Sequence, residues 1–276
     1  MLTTTVDGLW VLQVLCGIET VAAELGLRPH FPRVEGPEVA VAHPEAEELR
    51  RAGVITDCGN VDSSVREWLT VLSRRDVAVG VFVQHPSGQF ASDRVLFARF
   101  SCWWVALERC GSMVRLSAVG RAYDERTASM LLGAQIDRLC GQRAPARMDS
   151  LTIDVQELTS SVLDGETLQS YLIRHGLDVG QVAALTAAAD SKRSRQVSIV
   201  AIQSGVTDAP AGIHVDPGVV TVIDSPHGRL ISEQLNRDGK TWMIVGPGSQ
   251  SAMSSAVLAM LRRLPAEDWF SHRRAV

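Results

Sequence analysis

One arrangement of predicted elements occurs twice along this chain, and this repetition constrains the fold more than any short motif does. Residues 45–70 and residues 166–188 each read as two short helices around a glycine. A short basic cluster and several strand-like runs follow each helical pair, and each half closes with a long amphipathic helix, at about 123–140 and 249–264. The repetition predicts an α+β protein built as a quasi-two-fold duplicated unit.

The duplication also suggests how the chain is divided. We expect a single domain over residues 1–276, with an N-terminal half-repeat at 1–142 and a C-terminal half-repeat at 153–276. The linker between them is expected at about 141–152, where glycine and proline lie among small polar residues.

Runs of apolar and β-branched residues predict the strands of a sheet. Because only a few residues separate successive runs, an antiparallel meander is favoured over βαβ crossovers. The expected architecture is a central antiparallel β-sheet flanked by two α-helical bundles, with a long polar hairpin loop at 85–93 and a tight turn at Ser225–Gly228. Residues 9–16 are strongly apolar and fit either a helix or a strand. The predicted strands cover residues 2–6, 77–83, 94–100, 102–108, 112–118, 196–203, 219–224, 228–234 and 240–245.

Composition excludes several classes of partner and compartment. The formal net charge is −4, and the basic clusters are only two or three residues long, so nucleic acid is not an expected partner. The five cysteines form no Cys-x-x-Cys pair, which is typical of a protein in a reducing cytosol. No signal peptide and no apolar run of about 20 residues is visible, so we expect a cytoplasmic protein without membrane insertion.

Catalytic signatures are absent from the sequence. The seven histidines are scattered without metal-ligand spacing, and no nucleophile elbow or phosphate-binding loop is present. We therefore predict no enzyme activity, no catalytic residue, no metal and no cofactor. The alternative is a protein or enzyme that binds a small phosphate-bearing ligand at the helix start Gly246–Ser249, although Ser249 reads more naturally as a helix N-cap.

Two apolar features point instead to a surface that binds a protein. Trp103 and Trp104 are consecutive on a predicted strand, so their indoles point to opposite faces of the sheet. One indole then marks a partner-binding surface, unless helices cover both faces. The helical pair at 166–188 carries more apolar residues than one packed face needs, and part of this stripe could form a groove for a helical tip. The regional candidates for partner binding are Leu168, Leu172, Ile173, Leu177, Trp103 and Trp104.

Five segments, in order and spread over nearly the whole chain, resemble those of one known family. They are Thr5-Val-Asp-Gly-Leu-Trp10, Val65-Arg-Glu-Trp-Leu-Thr-Val-Leu72, Val222-Ile-Asp-Ser-Pro-His-Gly-Arg-Leu230, Gly246-Pro-Gly-Ser249 and Arg263-Leu-Pro-Ala-Glu-Asp-Trp-Phe270. The chain is similar to the EspG family of mycobacterial type VII (ESX) secretion-associated proteins, and within it to the branch that serves the second ESX system.

The resemblance implies a cytosolic chaperone specific for PE–PPE heterodimers. Such a chaperone binds the helical tip of the PPE subunit, keeps the heterodimer soluble and delivers it to its secretion system. The resemblance also implies a quasi-two-fold fold, contact through the sheet and the C-terminal helical bundle, a variable hairpin loop at 85–93, and a monomer or weak homodimer. It has no fixed binding motif, so Leu168, Leu172 and Leu177 are transferred only as a region.

Overall fold

The computed structural model describes residues 1–86, 93–207, 209 and 212–274. Within these residues the chain forms an α+β fold around one sheet of eleven strands, and all the strand pairs are antiparallel, as predicted. Most of the hairpin loop predicted at 85–93 lies outside the described residues. The strands are β1 (Leu2–Thr5), β2 (Val77–Gln84), β3 (Asp93–Phe100), β4 (Trp103–Cys110), β5 (Met113–Arg121), β6 (Leu151–Asp154), β7 (Arg195–Ser204), β8 (Ile213–Val215), β9 (Val220–Ser225), β10 (Gly228–Arg237) and β11 (Lys240–Pro247).

In each half, short helices lie between the edge strand and the remaining strands, and a further helix follows those strands. The described helices are α1 (Val6–Leu15), α2 (Pro37–Val41), α3 (Pro44–Arg51), α4 (Ser63–Ser73), α5 (Glu125–Cys140), α6 (Val155–Leu163), α7 (Leu168–Arg174), α8 (Val179–Ala189) and α9 (Gln250–Leu261), with a 3-10 turn at Ala23–Leu25. The apolar segment at 9–16 is thus helical. Side-chain caps begin most of these helices, and Ser249 caps α9 as the sequence predicts.

The sheet order is β1-β5-β4-β3-β2-β7-β9-β10-β11-β6, with β8 paired to β7. Each half starts with an edge strand and a helix, continues through a meander, and ends with a long helix. The halves meet where β2 pairs with β7, from Val77↔Gln203 to Gln84↔Gln196. We call this pairing the seam. Strands in equivalent positions of the two halves therefore lie at equal distances from the seam.

Side chains on a strand alternate between the two faces of the sheet. Both faces carry apolar side chains here, and helices cover both. The first face carries α1, α3 and α4 over the N-terminal half, and α6, α7 and α8 over the C-terminal half. The second face carries α5 and α9 side by side. The central strand β2 is buried over most of its length, which explains its almost continuous run of apolar residues.

The sequence analysis missed β6, β8, α2 and α6. β6 has only four residues, and Asp154 both ends that strand and caps α6 by accepting hydrogen bonds from the backbone N–H groups of Gln156 and Glu157. A strand this short gives no detectable alternation. β6 begins at Leu151, inside the segment predicted as linker.

Candidate partner-binding surface

An apolar cleft lies between the C-terminal helices and the first face of the sheet, with a volume of about 190 Å³. Its helical wall is formed by Leu158 of α6, Leu168 and Leu172 of α7, and Leu185 of α8. The sheet contributes the floor, and among the described residues the polar side chains on the cleft lining are those of Gln196 and Ser232. The floor residues are Ile153, Ile223, Leu230, Met243 and Val245. A lining of this kind suits an apolar side chain of a partner.

The two halves cover this face of the sheet to very different extents. In α1, seven of the ten residues are buried, among them Leu9, Val11 and Leu12. In α6, which occupies the equivalent place after an edge strand, none of the nine residues is buried. Leu158 is only half-buried. The C-terminal half therefore keeps apolar surface available where the N-terminal half uses it for its core.

Large apolar side chains are also exposed on the three helices that line the cleft. Leu163 at the end of α6 and Val179 at the start of α8 are 81% and 88% exposed, and Ile173 on α7 is 56% exposed. All lie on the three helices that cover the C-terminal half, and Val162 is exposed beside Leu163. Clustered apolar exposure of this kind marks an interaction surface more often than scattered single residues do.

Polar contacts hold α6 and α7 together. The Arg174 guanidinium donates two hydrogen bonds to the Glu166 carboxylate, at 3.2 and 2.9 Å, and a third to Ser161 Oγ at 3.2 Å. This pairing lowers the pKa of Glu166 and raises that of Arg174. His175 Nε2 lies 3.1 Å from Glu157 Oε1. Exposed contacts of this type contribute little stability each.

The start of α6 is attached to β11 in a similar way. Lys240 Nζ donates to Asp154 Oδ2 at 3.0 Å, and the backbone N–H of Thr241 donates to Gln156 Oε1 at 3.2 Å. The hydrogen bond from Lys240, helped by the backbone N–H of Glu157, lowers the pKa of Asp154. Exposed polar contacts thus attach both ends of α6. Between them, none of its residues is buried, and Leu158 packs against the core cluster from a half-buried position.

The structure gives the predicted leucines and isoleucine distinct positions. Leu168 is half-buried and lines the cleft, and Leu177 is half-buried and packs against the same cluster. Leu172 is 1% exposed, so it forms part of the core and of the cleft wall, and does not belong to the outer surface. Ile173 is the member of this set that points outward.

The two tryptophans lie apart from the cleft. Trp104 is fully buried in the cluster that joins β4 to α5 and α9, because helices cover that face of the sheet. Trp103 is 37% exposed, and the Arg121 guanidinium stacks over its ring at 3.7 Å. β4 lies five strands from β10 in the sheet order, so the structure does not bring the tryptophans and the leucines into one site.

Sequence reasoning missed several residues of the cleft. Leu158 belongs to a helix that was not predicted, and Ile153 belongs to the short strand before it. Met243 and Leu230 lie on predicted strands, where residue alternation indicates one shared face. This alternation was the available signal, but it does not tell which face is left partly uncovered.

The backbone around the helix start Gly246–Ser249 already has partners. Ser249 Oγ accepts from the Ala252 N–H at 3.2 Å, and the Gly248 N–H donates to the Arg229 carbonyl at 2.8 Å. These contacts favour a structural cap over an anion site.

Among the described residues, no group of three or more His, Cys, Asp or Glu side chains could hold a metal ion. In the same part of the chain, no helix is long and apolar enough to cross a membrane.

Comparisons with known proteins agree with this architecture. The EspG family model matches residues 5–259. The chain is 45% identical to the ESX-2 secretion-associated protein EspG2 of Mycobacterium tuberculosis (strain H37Rv), over 100% of both chains. It is 26% identical to EspG5 of the ESX-5 system from the same strain, over 99% of this chain and 97% of EspG5. The higher identity to EspG2 confirms the predicted resemblance to the branch of the second ESX system.

The fold has also been seen in a solved structure. The M. tuberculosis type VII secretion system chaperone EspG5, in complex with the PE25-PPE41 dimer, superposes with a TM-score of 0.77 at 23% identity, covering 98% of this chain and 99% of that one. The chain therefore belongs to the EspG family of secretion-associated proteins.

Proposed function

We propose that this protein is a cytosolic specificity chaperone that binds the helical tip of a cognate PE–PPE heterodimer through its apolar cleft. One observation carries the proposal: α6 buries none of its residues, whereas its counterpart α1 buries seven of ten. That difference keeps an apolar cleft open on the C-terminal half. EspG5, whose fold this chain shares, has been solved with a PE25-PPE41 dimer bound.

The chemistry of the surface suits such a partner. A helical tip that exposes leucine or phenylalanine would associate with other copies of itself, and covering the tip removes that hazard. The cleft accepts an apolar side chain, while Leu163, Ile173 and Val179 extend the apolar contact around it. An interface of about 1,600 Å² in total would give specific binding that can still be released. Charged groups such as Arg174 and Glu166 lie nearby and could disfavour wrong partners.

The halves are proposed to descend from one duplicated unit, with half-repeats at 1–142 and 153–276 joined by the segment near 141–152. The symmetric strand order about the seam supports this proposal. In this interpretation the N-terminal helices stabilise the platform and the C-terminal helices bind the partner. The chaperone would act as a monomer or weak homodimer, before delivery of its partner to the ESX system.

Co-expression with the PE–PPE pair of the same secretion locus tests the function. Size-exclusion chromatography with light scattering should show a 1:1:1 complex that is absent with a pair from another locus. Ile173→Glu should weaken this complex at least tenfold, because it places a charge on the proposed contact surface. Val39→Glu on α2 is the matched control, since Val39 is 51% exposed, and it should bind normally.

Two results would contradict the proposal. Elution of the protein alone with every PE–PPE pair would remove the chaperone function for this chain. Equal weakening by Ile173→Glu and Val39→Glu would move the contact surface away from the C-terminal helices. Circular dichroism of both variants separates loss of binding from loss of fold.

A further inference from the structure

A second groove, basic in character, is lined by the start of α8, whereas the apolar cleft is lined by residues nearer the end of that helix. It has a volume of about 610 Å³ and is bounded by the segment 143–147, the turn at 226–228 and the start of α8. Small residues, Gly180 and Ala184, form the wall that α8 contributes. We call this feature the basic groove.

The segment 143–147 is held in place as an extended strip. The Ala146 N–H donates to the Arg229 carbonyl at 2.8 Å, and the Arg229 N–H donates to the Ala144 carbonyl at 2.8 Å. The approach is close: at Gly228, with φ of 110°, a Cβ atom would lie 2.8 Å from Ala146 N. The strip is therefore part of the framework of the fold.

Most side chains of this strip are exposed. Ala146 is 4% exposed and faces inward, whereas Arg143, Pro145 and Arg147 are exposed and line the groove. In an extended chain, residues four apart are about 13 Å apart along the strand. The two arginines thus provide two positive charges, separated along the groove, on either side of Pro145.

The charges on this rim are not neutralised. Among the described residues, neither arginine of the strip forms a salt bridge, and nor does His227 across the groove. Arg143 donates to the Ser225 carbonyl, at 2.6 Å. Asp224, in the same hairpin, is already paired with Arg229 at 2.6 Å and with Arg195 at 3.6 Å. Asp178 caps α8 by accepting from the Gln181 N–H at 2.8 Å. The strip therefore carries two unpaired positive charges although the net charge of the protein is −4, and the Asp178 carboxylate stands at the α8 side of the groove, beside Gly180.

We propose that the basic groove docks an extended acidic segment of a partner protein, with carboxylates about 13 Å apart. A phosphate group would require donors converging on one point, whereas these cations are spread along the groove. Nor does the segment add as a further strand, since Pro145 lacks the N–H that an edge would offer. Recognition then depends on side-chain charge, and the rate at which the acidic segment associates with the groove should fall as the salt concentration rises.

Fluorescence anisotropy tests the proposal on the full chain. The probe is a labelled, proline-containing extended peptide with two glutamates four residues apart, and its matched control carries glutamines instead. We expect the acidic peptide to bind, and the double variant Arg143→Glu/Arg147→Glu to lose at least tenfold in affinity. Arg237→Glu, at the last residue of β10, where the side chain is 84% exposed, should bind like the original protein.

Other outcomes would overturn the inference. They are equal binding of the glutamine peptide, equal loss in Arg237→Glu, or competition by inorganic triphosphate at the same concentration as the acidic peptide. A thermal melt checks that the double variant folds, and Arg143→Gln/Arg147→Gln serves as a milder second variant. PE–PPE complex formation is measured in parallel, so that failure of the groove and failure of the chaperone function are distinguishable.

Discussion

Leu172 and Ile173 are adjacent on α7, and the structure gives them opposite environments. Leu172 is 1% exposed and packs with Tyr171 in the C-terminal core cluster, while Ile173 is 56% exposed. Successive residues of a helix point about 100° apart, so a single short helix can contribute to the core and to a contact surface. Sequence alone could place both residues in the region of the site but could not separate these roles.

Leu172→Ala should therefore lower the free energy of unfolding by about 2–5 kcal/mol, because it removes buried methyl groups and leaves a cavity. Ile173→Ala should change the same quantity by less than about 0.5 kcal/mol, as is usual for surface positions. Denaturant unfolding measures both values. If Leu172→Ala were as stable as the original protein, the packing of α7 described here would be wrong.

The elements with strong patterns could be predicted, and those that depend on tertiary contacts could not. The run from Val77 to Val83 indicates a buried central strand, and Ser249 marks the start of α9; the structure has both. α6 was missed because its few apolar positions pack only lightly and its cap belongs to a four-residue strand. The burial of Trp104 was left open because it depends on whether α5 and α9 cover that face. The outward direction of Ile173 likewise follows only from packing.

The C-terminal segment after α9 has no regular secondary structure, and its residues contact one end of the seam. Arg99 is fully buried and donates to the carbonyls of Phe270 and His272, the second at 2.7 Å. Burial, with a further contribution from nearby Arg273, lowers the pKa of Arg99 to about 10. The Arg274 N–H donates to Asp76 Oδ1 at 3.0 Å, so the end of the C-terminal half contacts the start of β2.

A chain that ends at Leu264 should lose at least about 3 kcal/mol of stability, because the buried Arg99 guanidinium keeps Asp76 at 3.8 Å but loses the two carbonyls that accept its hydrogen bonds. Trp269, which donates to Glu125 Oε1 at 2.8 Å, would be lost as well. A chain that ends at Arg274 keeps all these contacts and is the control. Thermal unfolding compares the two, and similar midpoints would show that the C-terminal segment does not stabilise the seam.

For the whole molecule, the seam means that neither half is complete on its own. In an isolated N-terminal half, β2 would lose its pairing with β7 and become an edge strand, with its apolar residues Val77–Val83 unpaired on that side. Exposed strands of this kind pair with other chains. The proposed half-repeats therefore share an arrangement of elements but are not independent folding units, and we expect them to fold only together.

The contrast between α1 and α6 also predicts how many partners one chain can bind. Two identical halves related by a two-fold axis would carry two equivalent clefts, and a protein with two clefts could cross-link its partners. Here α1 fills the N-terminal position with seven buried residues, and α6 leaves the C-terminal one open. Isothermal titration should accordingly saturate at one PE–PPE heterodimer per chain, and a plateau at two would show that the N-terminal half also binds. A monovalent chaperone can cover an aggregation-prone tip without ever bringing two such tips together.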